Sequence, residues 1–488
     1  MNSKGRTINS IKGEIHNLLA ILRFLPSSCP EVYTEELLDL FQKLLVCSDV
    51  DGVDFWSPFL KIIQGPDSSS AIKGVALSSI HKFLLYGFLS PKSAYTLNKI
   101  VNGVVQCIID NFSSSDEVVL MKLLHVFLEC LRAPASIYLT DASVWSISKR
   151  CFDMYERERA SELLKKTAQN TLLQIFLIVF GRVAELTNEH ENSSYGVLCL
   201  KKIILHLAHL IGFSDKNDSN FKEKRCLGLF LMNTALETAG ENIGMHKDLI
   251  SVIQDEVCKS LLINSATDDL FILTLTLRVV FNLFQSVKQH LKVQQEVFFN
   301  SLHLKIAAAY DETGDPMVFQ RSELALESIV DFCREPSLIL ELYTNYDCDV
   351  DFANIFERLA KFLCKHAFPL NGTLNRLNEL CIEGLLAIIT SISMRCDPNL
   401  KPSENIWEDL KEKKTLKEIY LKSAEIFNSD PKEFIPKLQE LNYLPHDCDA
   451  KGVAKFFKEN PAIDHVKLGE YLGSSHEFNK KVLQVINI

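Results

Sequence analysis

Apolar residues recur at helical spacing along almost the whole chain. Between residues 72 and 83 they follow an i, i+3, i+4, i+8, i+11 pattern, and a similar stripe runs from 326 to 333. The segment 116–131 is apolar on nearly every side, as expected of a helix enclosed by neighbours. The alternation typical of β-strands is nowhere sustained, and 19 glycines and 15 prolines in 488 residues allow few tight turns. The sequence therefore predicts an all-α protein.

Short polar breaks separate the predicted helices. Helical stretches of about 12 to 20 residues alternate with segments such as QGPDSSS at 64–70 and DETGDP at 311–316. No exact repeat occurs at any period, yet stacked helical hairpins of divergent sequence fit this succession. We therefore expect an armadillo- or HEAT-like solenoid, an architecture that presents long interaction surfaces.

The charge and cysteine patterns exclude several classes of function. The formal net charge is −10, and the 52 basic residues are scattered along the chain. Because a phosphate backbone is bound by clustered Lys and Arg, we expect no nucleic-acid partner. The 14 cysteines form no CxxC pair, and neither a Walker A loop nor a GxGxxG motif occurs. We therefore expect no metal, no redox site and no cofactor, but reduced, buried thiols in a cytosolic protein.

The apolar runs do not predict a membrane span. The run at 172–180 is too short for a bilayer, and the run at 271–284 is interrupted by Arg278. Near the N-terminus, Glu14 and His16 interrupt an apolar segment that no small-residue cleavage site follows. We expect a protein that is soluble or, at most, peripheral at a membrane.

Three aspartates alternate with other residues in ELYTNYDCDVDFANIFERL, residues 341–359. A calcium loop counted from Asp347 needs glycine at its sixth position and glutamate at its twelfth, but Phe352 and Arg358 stand there. A DxD site for a nucleotide sugar would need an α/β fold, which the pattern does not support. We therefore predict no metal site in this segment.

The aspartates are better explained as helix caps. From Phe352 onward apolar residues form one stripe, so a helix is expected to begin there. Its first N–H groups need acceptors, which Asp349 or Asp351 can supply at the positive end of the helix dipole. Asn345 and Asp347 could bond the last turn of the preceding helix and hold the two helices at a fixed angle.

The same stretch resembles the signature of a known family. NYDCD at 345–349, followed by NIFERL, resembles the box of the homology-upstream-of-Sec-seven domain in large guanine-nucleotide exchange factors for Arf GTPases. GPDSSSAIKGVALSSIHKFLLYGFL at 65–89 and SELLKKTAQNTLLQIF at 161–176 resemble the family's dimerisation and cyclophilin-binding domain. KHAFPLNG at 365–372 is similar to the Golgi-specific brefeldin-A-resistance branch. The trans-Golgi branch, which shares NYDCD and NIFERL, is the alternative placement.

The resemblance implies three domains and a set of partners. Two helical regulatory domains would span about 5–185 and 195–398, followed by the incomplete opening of the catalytic Sec-seven domain at 414–488. An Arf GTPase would bind the complete Sec-seven domain, and the first domain would associate with itself, with Lys82 and Glu117 as candidates for that surface. A Rab GTPase or coat components are further candidate partners. The expected location is cytoplasmic, peripheral at Golgi or early secretory membranes.

We interpret the box as an interdomain element. Its residues are Asn345, Tyr346, Asp347, Cys348 and Asp349. The first regulatory domain is expected to contact the second, and the box is expected to fix the helix joint that this contact uses. Asp347→Ala should then weaken the contact between the two domains.

The chain departs from the family at its catalytic motif. Members carry a catalytic glutamate in an FRLPGE-type loop, and no such motif occurs in the 488 residues. In the family that glutamate competes with magnesium and phosphate at the GTPase's nucleotide, so exchange should not occur without it. We therefore expect no catalytic residue here, and an exchange assay would decide whether the chain is an enzyme. A helical-repeat adaptor without any Arf connection is the alternative.

The last helices carry apolar stripes that are expected to need partners from the missing half of the catalytic domain. The stripes comprise Val453, Phe456, Phe457, Leu468, Tyr471, Leu472, Phe478, Val482 and Leu483. Burying one such side chain contributes about 1.5–3 kcal/mol, so several left exposed would form a large apolar patch. We expect such a patch, as at the edge of a fragment.

Two further groups of residues receive structural interpretations. No nucleophile motif accompanies His81, His125 or His366, so we interpret them as core or surface histidines with no catalytic role. The triplet from Asp447 to Asp449 precedes another apolar-periodic segment and is interpreted as a second helix cap.

Overall fold

The computed structural model of the chain describes most of its length. It covers residues 3–24, 31–47, 53–89, 93–107, 114–157, 159–186, 195–212, 220–309, 315–369, 372, 374–395, 404–445 and 449–486. These residues form helices joined by turns, and no β-strand occurs among them. The prediction of an all-α protein is therefore confirmed.

The chain divides into two compact units, Met1–Lys292 and Val293–Ile488. The helices of the first unit are α1 Ser3–Phe24, α2 Glu31–Val46, α3 Ser57–Gln64, α4 Ser70–Leu85, α5 Ala94–Val105, α6 Ser114–Arg132, α7 Asp141–Tyr155, α8 Glu162–Gly181, α9 Val197–Gly212, α10 Phe221–Ala239, α11 Lys247–Val252, α12 Cys258–Ile263 and α13 Leu270–Val287. A π-helical turn, Ile253–Val257, joins α11 to α12.

The predicted stripe on α4 forms part of the core of the first unit. Ile72, Ile80 and Phe83 are fully buried where α4 packs against α6. The Phe83 ring meets the Phe59 ring edge to face, with centroids 5.3 Å apart. Helical periodicity therefore identified the buried face correctly, because side chains three and four residues apart share one side of a helix.

Helices on either side of residue 190 pack against each other within the first unit. α7 contacts α9, and α8 contacts α10. Lys165 on α8 pairs with Glu223 on α10 at 2.9 Å. α9 and α10 approach closely at Gly228, where an added Cβ would lie 3.1 Å from Cβ of Leu210. A side chain at position 228 would therefore require Leu210 and Ile211 to shift by a few tenths of an ångström.

The second unit begins with short helices and ends with a separate helical cluster. Its helices are α14 Lys292–Val297, which starts at the boundary, α15 Lys305–Ala308, α16 Pro316–Arg334, α17 Leu338–Leu342, α18 Ile355–His366, α19 Arg376–Arg395, α20 Glu404–Ser429, α21 Phe434–Glu440, α22 Ala450–Glu459, α23 His465–Leu472 and α24 Glu477–Ile486. Two π-helical turns, Phe298–Leu304 and Tyr343–Asp347, interrupt the series. α16 and α19 pack along each other and carry most of the first part of this unit.

The prediction of an exposed apolar patch on the last helices is wrong for most of the stripe. These five side chains are buried: Val453, Phe456, Phe457, Tyr471 and Val482. Leu468, Leu472 and Phe478 are partly buried against the same cluster. The stripe residues pack against Phe427 at the end of α20 and Phe434 on α21, which lie in the same buried cluster. The Phe427 ring lies 5.0 Å from Phe434 and 5.1 Å from Phe457, both edge to face.

Two helical stretches reach the length and apolar composition of a membrane span. They are Leu270–His290 and Arg376–Arg395. Both stretches take part in helix packing, the first against α10 and the second against α16 and α18. Core helices of soluble proteins commonly meet the same criteria, so composition alone does not place either helix in a bilayer.

Candidate functional site: the box and its helix junction

The first three residues of the box lie in a π-helical turn that ends one helix, and the other two lead toward the next. The turn Tyr343–Asp347 continues α17, and the N–H of Cys348 donates to the carbonyl of Tyr343 at 3.0 Å. Tyr346, Asp347 and Cys348 are buried, whereas Asn345 is exposed. π-helical turns are rare and often occur at functional sites. The box is therefore mainly an internal joint and only in part a surface.

Asp347 caps helix α18 from outside that helix. Its Oδ2 accepts from the N–H of Phe356 at 2.9 Å, and its Oδ1 accepts from the N–H of Glu357 at 3.0 Å. These are the second and third residues of α18, whose own N-cap residue, Asn354, makes no side-chain cap bond. One carboxylate thus satisfies two of the free N–H groups at the helix start.

The prediction that Asp349 or Asp351 caps a helix beginning at Phe352 is wrong. The helix begins at Ile355, and Oδ1 of Asp349 instead accepts from the N–H of Asp351 at 3.1 Å. This bond closes an Asx turn, in which an Asp side chain accepts from the backbone N–H two residues later. The tight turn returns the chain so that Asp347, not its neighbours, reaches the helix start.

Tyr346 and the following loop are tied to α14. The Tyr346 hydroxyl donates to Oε1 of Gln295 at 2.9 Å, and both side chains are buried. The N–H of Ala353 donates to Oε1 of Glu296 at 2.7 Å. Burial raises the pKa of Tyr346, so the hydroxyl keeps its proton and remains a donor. Neighbouring residues on α14 thus hold both the box and the start of α18.

Lys417 on α20 completes the junction. Its Nζ donates to the carbonyl of Tyr346 at 2.5 Å, and the side chain is only 2% exposed. One turn earlier, the ammonium of Lys414 lies 5.9 Å from the centre of the Tyr343 ring. A cation thus meets the carbonyl end of the box turn while an aspartate meets the N–H end of α18, in agreement with the helix dipoles.

Burial shifts the pKa of both charged groups at the junction. It raises the pKa of Asp347, while the two N–H groups, Lys414 and Lys417 act in the opposite direction. It lowers the pKa of Lys417 to about 8, while Asp347 opposes the shift.

Among the residues that the structure describes, no group of three or more His, Cys, Asp or Glu side chains could hold a metal ion. Both carboxylate oxygens of Asp347 are engaged by the backbone instead.

Sequence reasoning missed Lys417, Gln295 and Glu296. Lys417 stands in KEKKTLKEIYLK, a run that is typical of a solvated helix face. The two α14 residues lie about 50 positions from the box. No local sequence pattern predicts these contacts. The contact of Lys417 is recognised only in the structure, where this lysine is buried while Lys411, Lys413 and Lys422 on the same helix are exposed.

The two candidates for a self-association surface make contacts within the chain. Nζ of Lys82 pairs with Oε1 of Glu14 at 2.6 Å, and the lysine side chain stays 44% exposed. Oε1 of Glu117 accepts from the N–H of Ser161 at 2.9 Å. Lys82 and Glu117 lie on α4 and α6, which pack together. Their role in self-association stays a prediction.

The histidines and the second acidic triplet occupy structural positions. The His81 and His125 rings lie 6.2 Å apart, and burial lowers the pKa of His81. His366 packs against the ring of Phe362 at 4.4 Å. Oδ1 of Asp449 accepts from the N–H of Gly452 at 2.9 Å and caps α22, as predicted. The other two members of that triplet lie outside the described residues.

Three family models match the chain in order. They are the Mon2/Sec7/BIG1-like dimerisation and cyclophilin-binding domain at 27–186, the Mon2/Sec7/BIG1-like HUS domain at 196–355 and the Sec7 domain at 416–485. The chain belongs to the large ARF guanine-nucleotide exchange factors. The box lies within the HUS match, and Lys417 lies within the Sec7 match. The bond between Tyr346 and Lys417 therefore joins two family segments.

The related exchange factors are of the GNOM and Golgi-specific brefeldin A-resistance types, as the resemblance predicted. ARF guanine-nucleotide exchange factor GNL2 of Arabidopsis thaliana is 28% identical over 89% of this chain and 36% of its own length. GNOM of the same plant is 26% identical over 88% of this chain and 37% of its own length. The Caenorhabditis elegans homolog of the Golgi-specific brefeldin A-resistance factor is 22% identical over 93% of this chain and 33% of its own length. The chain thus spans little more than a third of these relatives.

Proposed function

We propose that the chain is the regulatory and scaffolding portion of an Arf exchange factor that acts in Golgi vesicle transport. The observation that carries this proposal is the junction, where the box of the HUS segment is bonded to the first helix of the Sec7 segment. A scaffold of this kind would be cytoplasmic and peripheral at Golgi or early secretory membranes. The similarity to relatives that include a Golgi-specific brefeldin A-resistance homolog supports this location.

We further propose the domain limits 5–185, 195–398 and 414–488, with the helices before residue 398 stacked as an armadillo- or HEAT-like solenoid. The family matches at 27–186, 196–355 and 416–485 support this division. The succession of packed helices within each unit supports the stacking. Each layer would then bury its apolar face on the next one.

The proposed partners follow from this organisation. An Arf GTPase would bind a complete Sec7 domain, and the N-terminal domain would associate with a second copy of itself. A Rab GTPase or coat components would bind the outer helical surfaces. Because the 488 residues contain no FRLPGE-type loop, we propose that they do not catalyse exchange by themselves.

A chimera tests this function directly. In GNOM, the segment that matches this chain would be replaced by residues 1–488, which leaves the rest of the relative in place. Nucleotide release from a membrane-associated Arf GTPase would then be measured by fluorescence. We expect exchange within several-fold of the parent protein, and we expect no acceleration by the 488-residue chain alone.

The same assay separates the alternatives. A chimera that folds but gives no exchange would favour a helical-repeat adaptor without any Arf connection. Exchange by the 488-residue chain alone would contradict the proposal that it is regulatory only. For the box, co-precipitation of residues 1–190 with 191–400 should weaken in Asp347→Ala, and unchanged binding would remove its interdomain role.

A further inference from the structure

Lys417 differs from the other lysines of its helix. Lys411, Lys413 and Lys422 are exposed, as expected in a strongly charged segment, whereas Lys417 is among the fully buried side chains of the protein. Burying an ammonium group in a protein interior costs stability unless excellent contacts offset the lost hydration. The position of Lys417 therefore needs an explanation other than a gain in stability.

The bond that Lys417 makes is not needed to satisfy its acceptor. The carbonyl of Tyr346 also accepts from the N–H of Asp349 at 3.2 Å. An apolar side chain of the same length at position 417 would thus leave no buried carbonyl without a partner. The lysine instead constrains the orientation of α20, because its charge-assisted bond requires a particular rotation and register of that helix on the box.

Helix α20 connects this contact to the C-terminal cluster. Within the described part of the chain, its most extensive helix packing is on α21, and its contact with the box turn is narrow. Phe427, ten residues after Lys417, lies at the centre of the aromatic cluster. Ten residues of helix span about 15 Å, so a tilt of about 20° at Lys417 would move that cluster by about 5 Å. The contact at the box, where Lys414 also lies over the Tyr343 ring, is therefore a point at which a small rotation displaces a large group.

We propose that Lys417 is a positioning residue that sets the orientation of the Sec7 segment relative to the box and the helices around it. Asp347 supports this role indirectly, because its cap on α18 fixes the turn that presents the carbonyl of Tyr346. The proposal rests on the proposed function, in which the orientation of a Sec7 domain would govern how it meets an Arf GTPase.

Distance measurements on the full 488-residue chain test the proposal. Fluorophores would be attached through encoded amino acids at Lys361 on α18 and Lys455 on α22, whose side chains are 74% and 72% exposed. In Lys417→Met we expect the distance distribution between the labels to broaden or shift by about 5 Å, the displacement estimated from the helix length. Lys417→Arg keeps a donor and should retain most of the native distribution.

A matched control lies on the same helix. Lys413 is an exposed lysine that pairs with Asp409 one turn earlier on the same helix, so Lys413→Met should leave the distribution unchanged. A native distribution in Lys417→Met would overturn the proposal. Loss of hydrogen-exchange protection throughout α20 in that variant would also overturn it. That result would mean that Lys417 stabilises the helix and does not set its orientation. No Arf GTPase takes part, so a failed chimera would leave this result standing.

Discussion

Asp347 shows how a single side chain can join two helices. It is the last residue of the π-helical turn and is 1% exposed, and its two carboxylate oxygens accept from the N–H groups of Phe356 and Glu357. A carboxylate at this end of a helix is favoured by the dipole, and the favourable energy grows when the site is shielded from water. The box therefore acts first as a structural joint, and any interdomain role depends on that joint.

Replacement of Asp347 should destabilise the second unit. Asp347→Ala leaves two helix N–H groups without their acceptor, so we expect the free energy of unfolding to fall by about 2 kcal/mol. Asp347→Asn keeps one acceptor oxygen and should lose about half as much. Denaturant unfolding followed by circular dichroism would measure both. Asp351→Ala, at an exposed neighbour, is the control, and an equal effect there would contradict the assignment of the cap.

Lys417 should make stability depend on pH in the alkaline range. Its pKa is about 8 in the folded protein, below its ordinary value of 10.5. Between these two pH values the folded protein has released the proton and the unfolded chain still holds it, so the free energy of unfolding should rise with pH. The rise would approach about 3 kcal/mol, from roughly 1.4 kcal/mol for each pKa unit.

The charged and titratable groups around Lys417 are Asp347, Asp349, Lys414 and Cys348. The comparison is therefore between wild type and Lys417→Met, which differ in the lysine alone. Unfolding curves at pH 7.5 and pH 10 would show the extra stabilisation only in the wild type. Equal pH dependence in the two proteins would mean that the lysine keeps its ordinary pKa.

At the scale of helices, the C-terminal segment builds its own core. The last helices bury their apolar stripes against one another and against two phenylalanines that come before them, Phe427 and Phe434. Aromatic rings in edge-to-face contact add to the energy of area burial. Helices α20 to α24 therefore cooperate as one packed group.

Removal of the central ring should loosen this group. Phe427 is fully buried, so Phe427→Ala creates a cavity and is expected to cost about 3–5 kcal/mol. Hydrogen exchange should show faster exchange in α21 to α24, with little change in α16 and α19. Leu421→Ala on the same helix, where the side chain is 41% exposed, is the control. Similar exchange in both variants would mean that Phe427 does not organise the cluster.

At the scale of the whole molecule, three family segments are joined within two compact units. The first and second segments meet where α7 and α8 contact α9 and α10, in the first unit. The second and third segments meet at the box, in the second unit. The box therefore lies at the joint between the HUS and Sec7 segments.

Self-association of the chain should depend on Lys82 if the first domain forms dimers as its family match suggests. Lys82→Ala removes a partly exposed pair with Glu14, so the change in folding stability should stay below about 1 kcal/mol. We expect a dissociation constant about tenfold higher, the effect of about 1.4 kcal/mol at the interface. Sedimentation velocity would measure it, and Lys99→Ala is the control because Lys99 makes a similar pair with Asp54. Equal effects would exclude a specific role for Lys82.

Local patterns were enough to predict the helices and the family of this protein. Helical periodicity depends on neighbours three and four residues apart, so it identified the buried face of α4, and the NYDCD box is itself a short motif. The tertiary structure decided which aspartate caps α18, why Lys417 is buried and what covers the last helices. Those outcomes depend on contacts between residues distant in the chain, such as Tyr346 with Gln295 and with Lys417, and no local pattern encodes which distant groups will meet.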